Sequence, residues 1–332
     1  MKIGFRQAKT FLSNLNFSDK VGIICHDDLD GMCSAVLISD FCKNKNAKHK
    51  VFIFNLQKQG LKIFENKLKV FNKIVVLDIQ NFYVSNHLKK LEKTFEILYI
   101  DHHSKEIKIS DFILEYNTNE KIPVSKTVYD LTKNKKWLAV LGTVSDFGDK
   151  YKENQEFVSS FLKENNLTLD SFRKNIVFKF GDLLAYFSNK KEAFRILEKA
   201  NFNNLSEIQK YSSIIRNETK KIEKDFKENN KKYGNINIYQ FKSKYDLRSG
   251  IITKLSLEKP SEIFIFIEKQ PCQMIRLSTR HQEKKGEAYT VLKKGGRGLK
   301  DTNIGGHPQA AGGFIKEKDL KQFFENIILK GL

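Results

Sequence analysis

Three short apolar segments of this sequence each run directly into acidic or histidine residues. They are Ile97–Ile100 before Asp101-His102-His103, Val21–Cys25 before His26-Asp27-Asp28-Leu29-Asp30, and Ile74–Leu77 before Asp78. Apolar runs of this length, rich in β-branched side chains, predict buried strands of a parallel sheet. Because the carboxyl ends of parallel strands meet at one edge of a sheet, we expect these polar groups to lie together. Converging carboxylates need a counter-charge, so the pattern predicts a metal site.

The remaining pattern predicts an α/β protein. Strands alternate with helices in the first part, which favours right-handed crossovers, and helices are predicted over Val124–Thr132 and Trp137–Val144. A charged helical stretch runs from about Lys150 to Asn230. The β-like segments beyond it are Ile236–Phe241, Ile263–Ile267 and Gln273–Ser278, before a glycine-rich segment and a closing helix. We therefore predict a parallel-sheet domain over 1–185, a helical connector over 186–230 and a smaller α/β domain over 231–332.

The composition excludes some classes and leaves others open. No run of about 18 apolar residues occurs and the N-terminus lacks the apolar core of a secretion signal, so we expect a cytoplasmic protein with no membrane span. The four cysteines form no C-x-x-C pair, which is typical of reduced thiols. The formal net charge of +20 fits a polyanionic partner such as nucleic acid, although scattered lysines also fit a lysine-rich genome. Arginine is scarce, yet Arg248, Arg276, Arg280 and Arg297 all fall in the last third, where we expect phosphate to bind.

Six residues have the chemistry of a divalent metal site. They are His26, Asp28, Asp30, Asp78, His102 and Asp146. Carboxylates mixed with imidazole, and without thiolate, favour Mn²⁺, Mg²⁺ or another borderline ion over a structural zinc site. Four acids and two histidines exceed the needs of one ion and predict two ions about 3.5–4 Å apart that share a carboxylate. Each motif alone is weak, since an Asp-Leu-Asp-Gly segment is usually a turn; their agreement at three strand ends strengthens the prediction.

These motifs resemble those of a known family. Asp28-Leu29-Asp30-Gly31, Asp78, Asp101-His102-His103 and Ser145-Asp146 follow, in order, the four motifs of the DHH phosphoesterase superfamily. The segment Gly305-Gly306-His307-Pro308-Gln309-Ala310-Ala311-Gly312 is similar to the signature of the DHHA1 domain, which follows the DHH domain in the RecJ-like branch. The resemblance covers both predicted domains.

The resemblance implies roles for the residues at the motif positions. His26, Asp28 and Asp78 would hold one Mn²⁺ ion, and Asp30, Asp78, His102 and Asp146 the other, with Asp78 bridging. Asp101 would orient an imidazole, and His103 would face the scissile phosphate. The fourth motif commonly reads Gly-Asp in the family. Here Asp146 follows a serine and Asp149 lies close behind; we favour Asp146 as the ligand. Asp27 is an extra acid that we place outside the direct ligands.

In the second domain the resemblance implies a substrate-binding surface. Gly305, Gly306 and His307 would line it, and Arg280 with Ser278 would form the family's Ser-x-Arg element, which grips a phosphate. Arg297 is a further candidate. The glycines alone are also compatible with flexible loops, or with backbone placed close to phosphate oxygens.

The implied activity is metal-dependent hydrolysis of a phosphate ester, without a nucleophilic serine or cysteine. Our leading prediction is a Mn²⁺-dependent exonuclease, with Mg²⁺ as an alternative ion, acting on single-stranded DNA or RNA in either direction. A second hypothesis is a phosphodiesterase for very short RNA or a cyclic dinucleotide, or a pAp phosphatase. A third is a non-catalytic partner of replication or repair proteins, and the presence of every motif acid argues against it.

Overall fold

The apolar segments that precede the acidic motifs form neighbouring strands of one sheet. The structure, a computed structural model, describes residues 4–55, 62–103, 109, 113–118, 120–283 and 285–328. The chain divides into two units, Met1–Tyr211 and Ser212–Leu332. The strands of the first unit are β1 (Lys20–His26), β2 (Lys48–Phe54), β3 (Lys73–Leu77), β4 (Glu96–Asp101) and β5 (Leu114–Asn117). They pair in the order β2-β1-β3-β4-β5, and every neighbouring pair is parallel.

Helices cover both faces of this sheet. The helices that begin in the first unit are α1 (Phe5–Ser13), α2 (Leu29–Asn44), α3 (Lys62–Leu68), α4 (Asn81–Leu91), α5 (Val124–Thr132), α6 (Lys136–Ser145), α7 (Lys152–Glu164), α8 (Leu169–Phe172), α9 (Phe178–Tyr186), α10 (Lys190–Lys199) and α11 (Ser206–Asn229). A 3₁₀ turn, Gly148–Lys150, precedes α7, and a π-helical segment, Arg173–Val177, precedes α9. Helix α11 extends into the second unit. The domain limits predicted at residues 185 and 230 stay predictions.

The central strands are buried on both faces, which explains their continuous apolar sequence. Side chains alternate along a strand, so Ile23 and Val75 enter one core while Ile24 and Val76 enter another on the opposite face. Burying each such side chain stabilises the fold by about 1.5–3 kcal/mol. Apart from the charged residue that begins each strand, the charged and histidine residues of β1, β3 and β4 consequently appear only at or directly after their carboxyl ends, where the strands leave the core. The predicted fold class is confirmed for this unit, including the helix over Val124–Thr132.

The second unit contains a mixed sheet. Its elements are β6 (Lys231–Tyr233), β7 (Ile236–Gln240), α12 (Arg248–Glu258), β8 (Ile263–Gln270), β9 (Met274–Arg280), α13 (Ala288–Gly295), β10 (Asn303–His307), β11 (Ala310–Lys316), a 3₁₀ turn at Glu317–Asp319 and α14 (Leu320–Ile328). The strand order is β10-β11-β9-β8-β7-β6, and β7–β8 is the parallel pair. Apolar side chains of α13 and α14 pack on one face. Over the described residues, no helix combines the length and apolarity needed to span a membrane.

The glycine-rich segment forms strands. Gly305 pairs with Gly312, and Gly306 with Ala311, across β10 and β11. Gly306 has φ +137° and lies so close to β11 that a Cβ there would stand 2.5 Å from the Ala310 carbonyl oxygen. Close strand approach therefore requires glycine at this position.

Candidate metal centre

The loop between β1 and α2 places an imidazole next to a carboxylate. Asp28 caps α2, and its Oδ1 accepts a hydrogen bond from the Gly31 backbone N–H at 2.9 Å. Its Oδ2 lies 2.7 Å from Nδ1 of His26, the last residue of β1. Gly31 lets the helix begin this close to the strand, because a Cβ there would stand 2.8 Å from the His26 carbonyl oxygen. Both side chains are thereby held at the end of β1.

Asp30 is fixed by a helix that is distant in sequence. It is buried in the first turn of α2, and its carboxylate accepts hydrogen bonds from the N–H groups of Val124 at 2.7 Å and Ser125 at 3.0 Å. Those donors belong to the first turn of α5, which has no intrahelical acceptor for them. Gly142 of α6 leaves room for the carboxylate, since a Cβ there would stand 3.0 Å from Asp30 Oδ1.

Asp78 is a buried acid without a full set of partners. It follows β3 in a left-handed backbone conformation, φ +61°, and its N–H donates to the Ile100 carbonyl at 3.0 Å. Its side chain is 2% exposed. Within the described part of the chain, its Oδ1 has no hydrogen-bond partner. A buried carboxylate oxygen without a donor is costly unless another positive group is bound.

The end of β4 carries Asp101, His102 and His103. Asp101 is buried; its Oδ2 accepts a hydrogen bond from the Tyr99 hydroxyl at 2.9 Å, and its Oδ1 lies 2.8 Å from Nδ1 of His103. The Tyr99 hydroxyl also lies 2.6 Å from the Ile79 carbonyl oxygen. The two histidine rings are 4.6 Å apart between centroids. Asp101 thus holds one ring nitrogen of His103 and is itself held by Tyr99.

Asp146 and Asp149 have different surroundings. Asp146 caps the end of α6, and its Oδ2 lies 3.6 Å from Nε2 of His102. Asp149 forms a 2.5 Å ion pair with Arg173 of the π-helical segment. Of these two acids, the structure brings Asp146 to the other candidate ligands and pairs Asp149 with an arginine. Asp27 accepts a hydrogen bond from Asn55 through Oδ2, and its Oδ1 lies 3.6 Å from Nε2 of His26.

The six predicted ligands converge at the carboxyl edge of the sheet. Among the described residues, ligand atoms lie within 4.8 Å of one another in three groups: His26, Asp28 and Asp78; Asp30, His102 and Asp146; and Asp78, His102 and His103. The groups are linked, because His102 Nε2 also lies 3.4 Å from Asp78 Oδ1. The first group contains the three residues of one ligand set that the resemblance implies. The second contains three of the four residues of the other set and lacks Asp78, the implied bridging ligand. The assignment of ligands to ions stays a prediction.

In the second unit, the predicted Ser-x-Arg element lies on β9. The Arg280 guanidinium lies 3.3 Å from Thr253 Oγ1 and 3.3 Å from Ser249 Oγ, both on α12. Ser278 accepts a hydrogen bond from Arg248, whose guanidinium also lies 3.3 Å from Glu268. Two arginines therefore converge on the same face of β9, since Ser278 and Arg280 are two residues apart.

The other predicted substrate residues fall in two places. Strand β11 lies between β10 and β9. His307 of β10 is opposite Ala310 of β11, which is opposite Arg280 of β9, and Gly305 is related to Ser278 in the same way. Gly305, Gly306 and His307 are exposed on the outer strand β10. Arg297 is exposed in the turn after α13, and its carbonyl accepts a hydrogen bond from Asn326 at 2.9 Å. The register gives no support for grouping Arg297 with Arg280.

A comparison with protein families matches part of the first unit. Residues 20–155 match the DHH family, N-terminal domain. This segment is a DHH-family domain. The match begins at β1 and includes all six predicted metal ligands and the Asp101-His102-His103 motif. No curated protein matches the chain.

Solved structures share the fold of the whole chain. An exonuclease RecJ bound to manganese is 13% identical, with a TM-score of 0.73 over 98% of this chain and 94% of that one. RecJ from Thermus thermophilus in complex with Mn²⁺ is 12% identical, with a TM-score of 0.72; the match covers 98% of this chain and 54% of that one. CDC45 from Entamoeba histolytica is 10% identical, with a TM-score of 0.62 over 98% of each chain. At these identities the likeness concerns the fold alone.

The charges of the DHH domain fit a divalent cation. Burial, then the charges of Asp28 and Asp30, raise the pKa of Asp78 well above its usual range. Burial and the charge of Asp30 raise the pKa of Asp146 to about 6. Burial opposes the ionisation of Asp28, but the hydrogen bond and charge of His26 outweigh it and lower the pKa. A bound cation would relieve the repulsion and supply the missing partner of Asp78 Oδ1.

Sequence patterns did not indicate the residues that hold the DHH domain's ligands in place. The Tyr99 hydroxyl orients Asp101, and the N-terminus of α5 holds Asp30. Tyr99 resembled an ordinary core residue of an apolar strand, and Val124 contributes only its backbone. Arg248 is one of the four arginines in the last third of the sequence, but nothing in its spacing links it to Ser278, thirty residues away.

Proposed function

We propose that the protein is a Mn²⁺-dependent phosphodiester hydrolase, and that it acts as an exonuclease on single-stranded DNA or RNA. One observation carries this proposal: the His26, Asp28, Asp78 group and the Asp30, His102, Asp146 group adjoin at one sheet edge of a DHH domain. Hard oxygen ligands mixed with imidazole suit Mn²⁺ and also Mg²⁺.

In this proposal His26, Asp28 and Asp78 hold one ion. Asp30, Asp78, His102 and Asp146 hold the second, and Asp78 is shared. A pair of divalent ions in such a site lowers the pKa of a water molecule and stabilises charge on a phosphoryl group. The hydrogen bonds to Asp30 from α5 and to Asp28 from α2 keep these oxygens in place before any ion binds.

His103 then acts on the substrate. Its side chain is 41% exposed, whereas that of His102 is 9% exposed, so it is the more accessible of the two rings. The hydrogen bond that His103 donates to Asp101, together with the charge of Asp101, raises the pKa of His103 against the effect of burial. Asp101 occupies Nδ1, which leaves Nε2 to donate to a phosphate oxygen. A protonated His103 would stabilise negative charge that develops on that oxygen.

The second unit supplies phosphate contacts in this proposal. Arg280 and Ser278 bind a substrate phosphate, and Gly305, Gly306 and His307 contribute from β10, two strands away. Arg297 is a further candidate that the strand register does not group with Arg280. Burial lowers the pKa of Arg280, but an arginine stays charged at neutral pH. Hydroxyl groups of α12 orient its donors without neutralising its charge, which is therefore available to an anion.

The test compares two substrates. Purified protein with Mn²⁺, with Mg²⁺ and with a chelator is incubated with a 20-nucleotide single strand labelled at either end, and separately with a dinucleotide. We expect stepwise shortening of the 20-mer with Mn²⁺, weaker activity with Mg²⁺ and none with the chelator. The end at which products first appear gives the polarity.

The other outcomes decide between the hypotheses. Hydrolysis confined to the dinucleotide would contradict the exonuclease proposal and support a phosphodiesterase for very short substrates. Binding of the 20-mer without metal-dependent hydrolysis of either substrate would support a non-catalytic partner of replication or repair proteins. A matched double-stranded 20-mer controls for the preference for single strands.

A further inference from the structure

An aromatic side chain is held in an exposed position next to the metal centre. Phe147 directly follows Asp146, and 59% of its surface is exposed. Its backbone has φ +57°, a left-handed conformation that is unfavourable for a bulky residue. Exposure of a large apolar ring and backbone strain both cost free energy, and strained residues cluster at functional sites.

The turn that carries Phe147 is anchored on three sides. Asn154 is fully buried, and its Nδ2 donates to the Gly148 carbonyl at 2.8 Å. Gly148 itself lies against Pro123, so that a Cβ there would stand 2.8 Å from Pro123 Cδ. Asp149 is fixed by its 2.5 Å ion pair with Arg173. None of these contacts uses the ring of Phe147, so the turn is rigid independently of that side chain.

A positive charge accompanies the ring. The Lys150 ammonium lies 4.2 Å from the centroid of the Phe147 ring, within the range of a cation–π interaction. An exposed ring can stack on a nucleobase, and an ammonium next to it can contact a backbone phosphate. Proteins that bind single strands without sequence preference combine these two elements.

We propose that Phe147 and Lys150 form a nucleotide-binding site on the DHH domain, in which the ring stacks on a base of the strand and the ammonium contacts its phosphate backbone. The site deepens the proposed function and rests on it: it assigns the substrate to base-bearing single strands. Because consecutive Cα atoms are about 3.8 Å apart, the backbone of Phe147 adjoins that of Asp146, a proposed metal ligand, and the base on the ring would belong to a nucleotide near the scissile phosphate.

The test measures how much binding depends on bases. Fluorescence anisotropy in chelator gives the Kd of a labelled 20-mer of thymidylate and of a 20-mer with the same phosphodiester backbone and no bases. We expect wild-type protein to bind the strand with bases more tightly than the strand without them. Phe147→Leu should reduce this preference, measured as the ratio of the two Kd values, about tenfold. Phe147→Tyr should restore it. Lys150→Met should weaken the binding of both strands alike. It should also lower the slope of log Kd against the logarithm of the salt concentration by about one.

The control is Phe17→Leu. Phe17 is 78% exposed and precedes β1, at the amino end of the sheet, so this variant removes an even more exposed ring away from the metal centre. An unchanged preference in a folded Phe147→Leu protein, verified by circular dichroism, would overturn the inference.

The proposed function is tested separately in the same preparation. Mn²⁺-dependent hydrolysis of bis-p-nitrophenyl phosphate, a diester without a base, reports the activity of the metal centre. If wild-type protein fails to hydrolyse it and also fails on the 20-mer, the hydrolase proposal fails. In that case the ratio of the Kd values for the two 20-mers still tests the role of Phe147.

Discussion

The DHH domain and strand β9 of the second unit both collect charged side chains, but they compensate the charge differently. At the sheet edge of the DHH domain, Asp28 lies beside the buried Asp30 and Asp78, and the pKa of Asp78 is raised. Near β9, Arg248 is buried next to Glu268, and Arg280 contacts hydroxyl groups of α12. Burial and the charge of Arg276 lower the pKa of Arg248 to about 10.

This difference indicates what each region requires. The acidic group, which consists of Asp28, Asp30 and Asp78, lacks a sufficient positive partner in the described part of the protein. Its folded arrangement is therefore costly in free energy until a cation binds. Arg248 and Arg280 have protein partners for their donors, and the pKa of Arg248, although lowered, stays far above neutral pH, so both side chains remain charged and can bind an anion. We therefore expect changes in the acidic group to alter metal content and activity together. Changes near β9 should alter substrate binding alone.

The largest effect is expected for Asp78→Asn. Asp78 adjoins two ligand groups, so its loss should remove several kcal/mol of transition-state stabilisation and lower kcat/KM about a thousandfold. Metal content, measured by elemental mass spectrometry, should fall in parallel. In chelator the variant should melt above wild type, because it no longer buries a carboxylate with a raised pKa.

Asp40→Asn provides the control for that variant. Asp40 lies towards the other end of α2 and pairs with Lys43 and Lys135, so metal content and activity should persist. Full Mn²⁺-dependent hydrolysis by Asp78→Asn would contradict the metal assignment.

Arg280→Ala should separate the two regions. Loss of a charge-assisted contact with phosphate should raise KM for a single strand about 10- to 30-fold while metal content stays at the wild-type level. Steady-state kinetics and metal analysis of the same sample measure this. Arg195→Ala removes one exposed positive charge in the first unit and serves as the control. Equal KM values for Arg280→Ala and wild type would refute the assignment of Arg280.

Tyr99→Phe tests whether His103 is positioned through Asp101. The variant removes the hydroxyl 2.9 Å from Asp101 Oδ2 and should lower kcat about tenfold with little change in KM or metal content. Tyr239→Phe removes a similar hydroxyl, 2.6 Å from Asp225, in the second unit and should leave kcat unchanged. A merely structural role for Tyr99 would instead lower the melting temperature without changing kcat at lower temperature.

The sequence was informative where the physical signal is local. Apolar segments that end abruptly in acids identified β1, β3 and β4, because buried parallel strands admit polar residues only at their ends. The same rule predicts that His26, Asp78 and His102 share one edge of the sheet. The helix over Val124–Thr132 could be predicted from its own periodicity.

Contacts between distant segments could not be predicted in this way. The choice between Asp146 and Asp149 depends on Arg173, which lies twenty-four residues from Asp149 and pairs with it. The Asp30 carboxylate is fixed by hydrogen bonds from backbone N–H groups of α5. Because these donors belong to the backbone, no residue type in the sequence indicates them. The strands β10 and β11 contradict the usual depletion of glycine in strands, since their close approach needs glycine at Gly306.

The smallest effect concerns the pH dependence of stability without metal. The pKa of Asp146 rises from 3.8 to about 6 on folding, so between these values the folded state binds more protons than the unfolded state. The free energy of unfolding should therefore fall as the pH rises from about 4 to 6. The raised pKa of Asp78 likewise lowers the free energy of unfolding as the pH rises. The lowered pKa of Asp28 stabilises the folded protein, and this stabilisation is already present above about pH 4.

In chelator we expect a melting temperature lower by about 2–4 °C at pH 6.5 than at pH 4.5, and a smaller drop for Asp146→Asn. Mn²⁺ should reverse the trend, because it competes with protons for the same oxygens. A melting temperature that rises with pH in chelator, equally in wild type and Asp146→Asn, would show that the acidic group is already compensated and that the contrast with β9 is wrong.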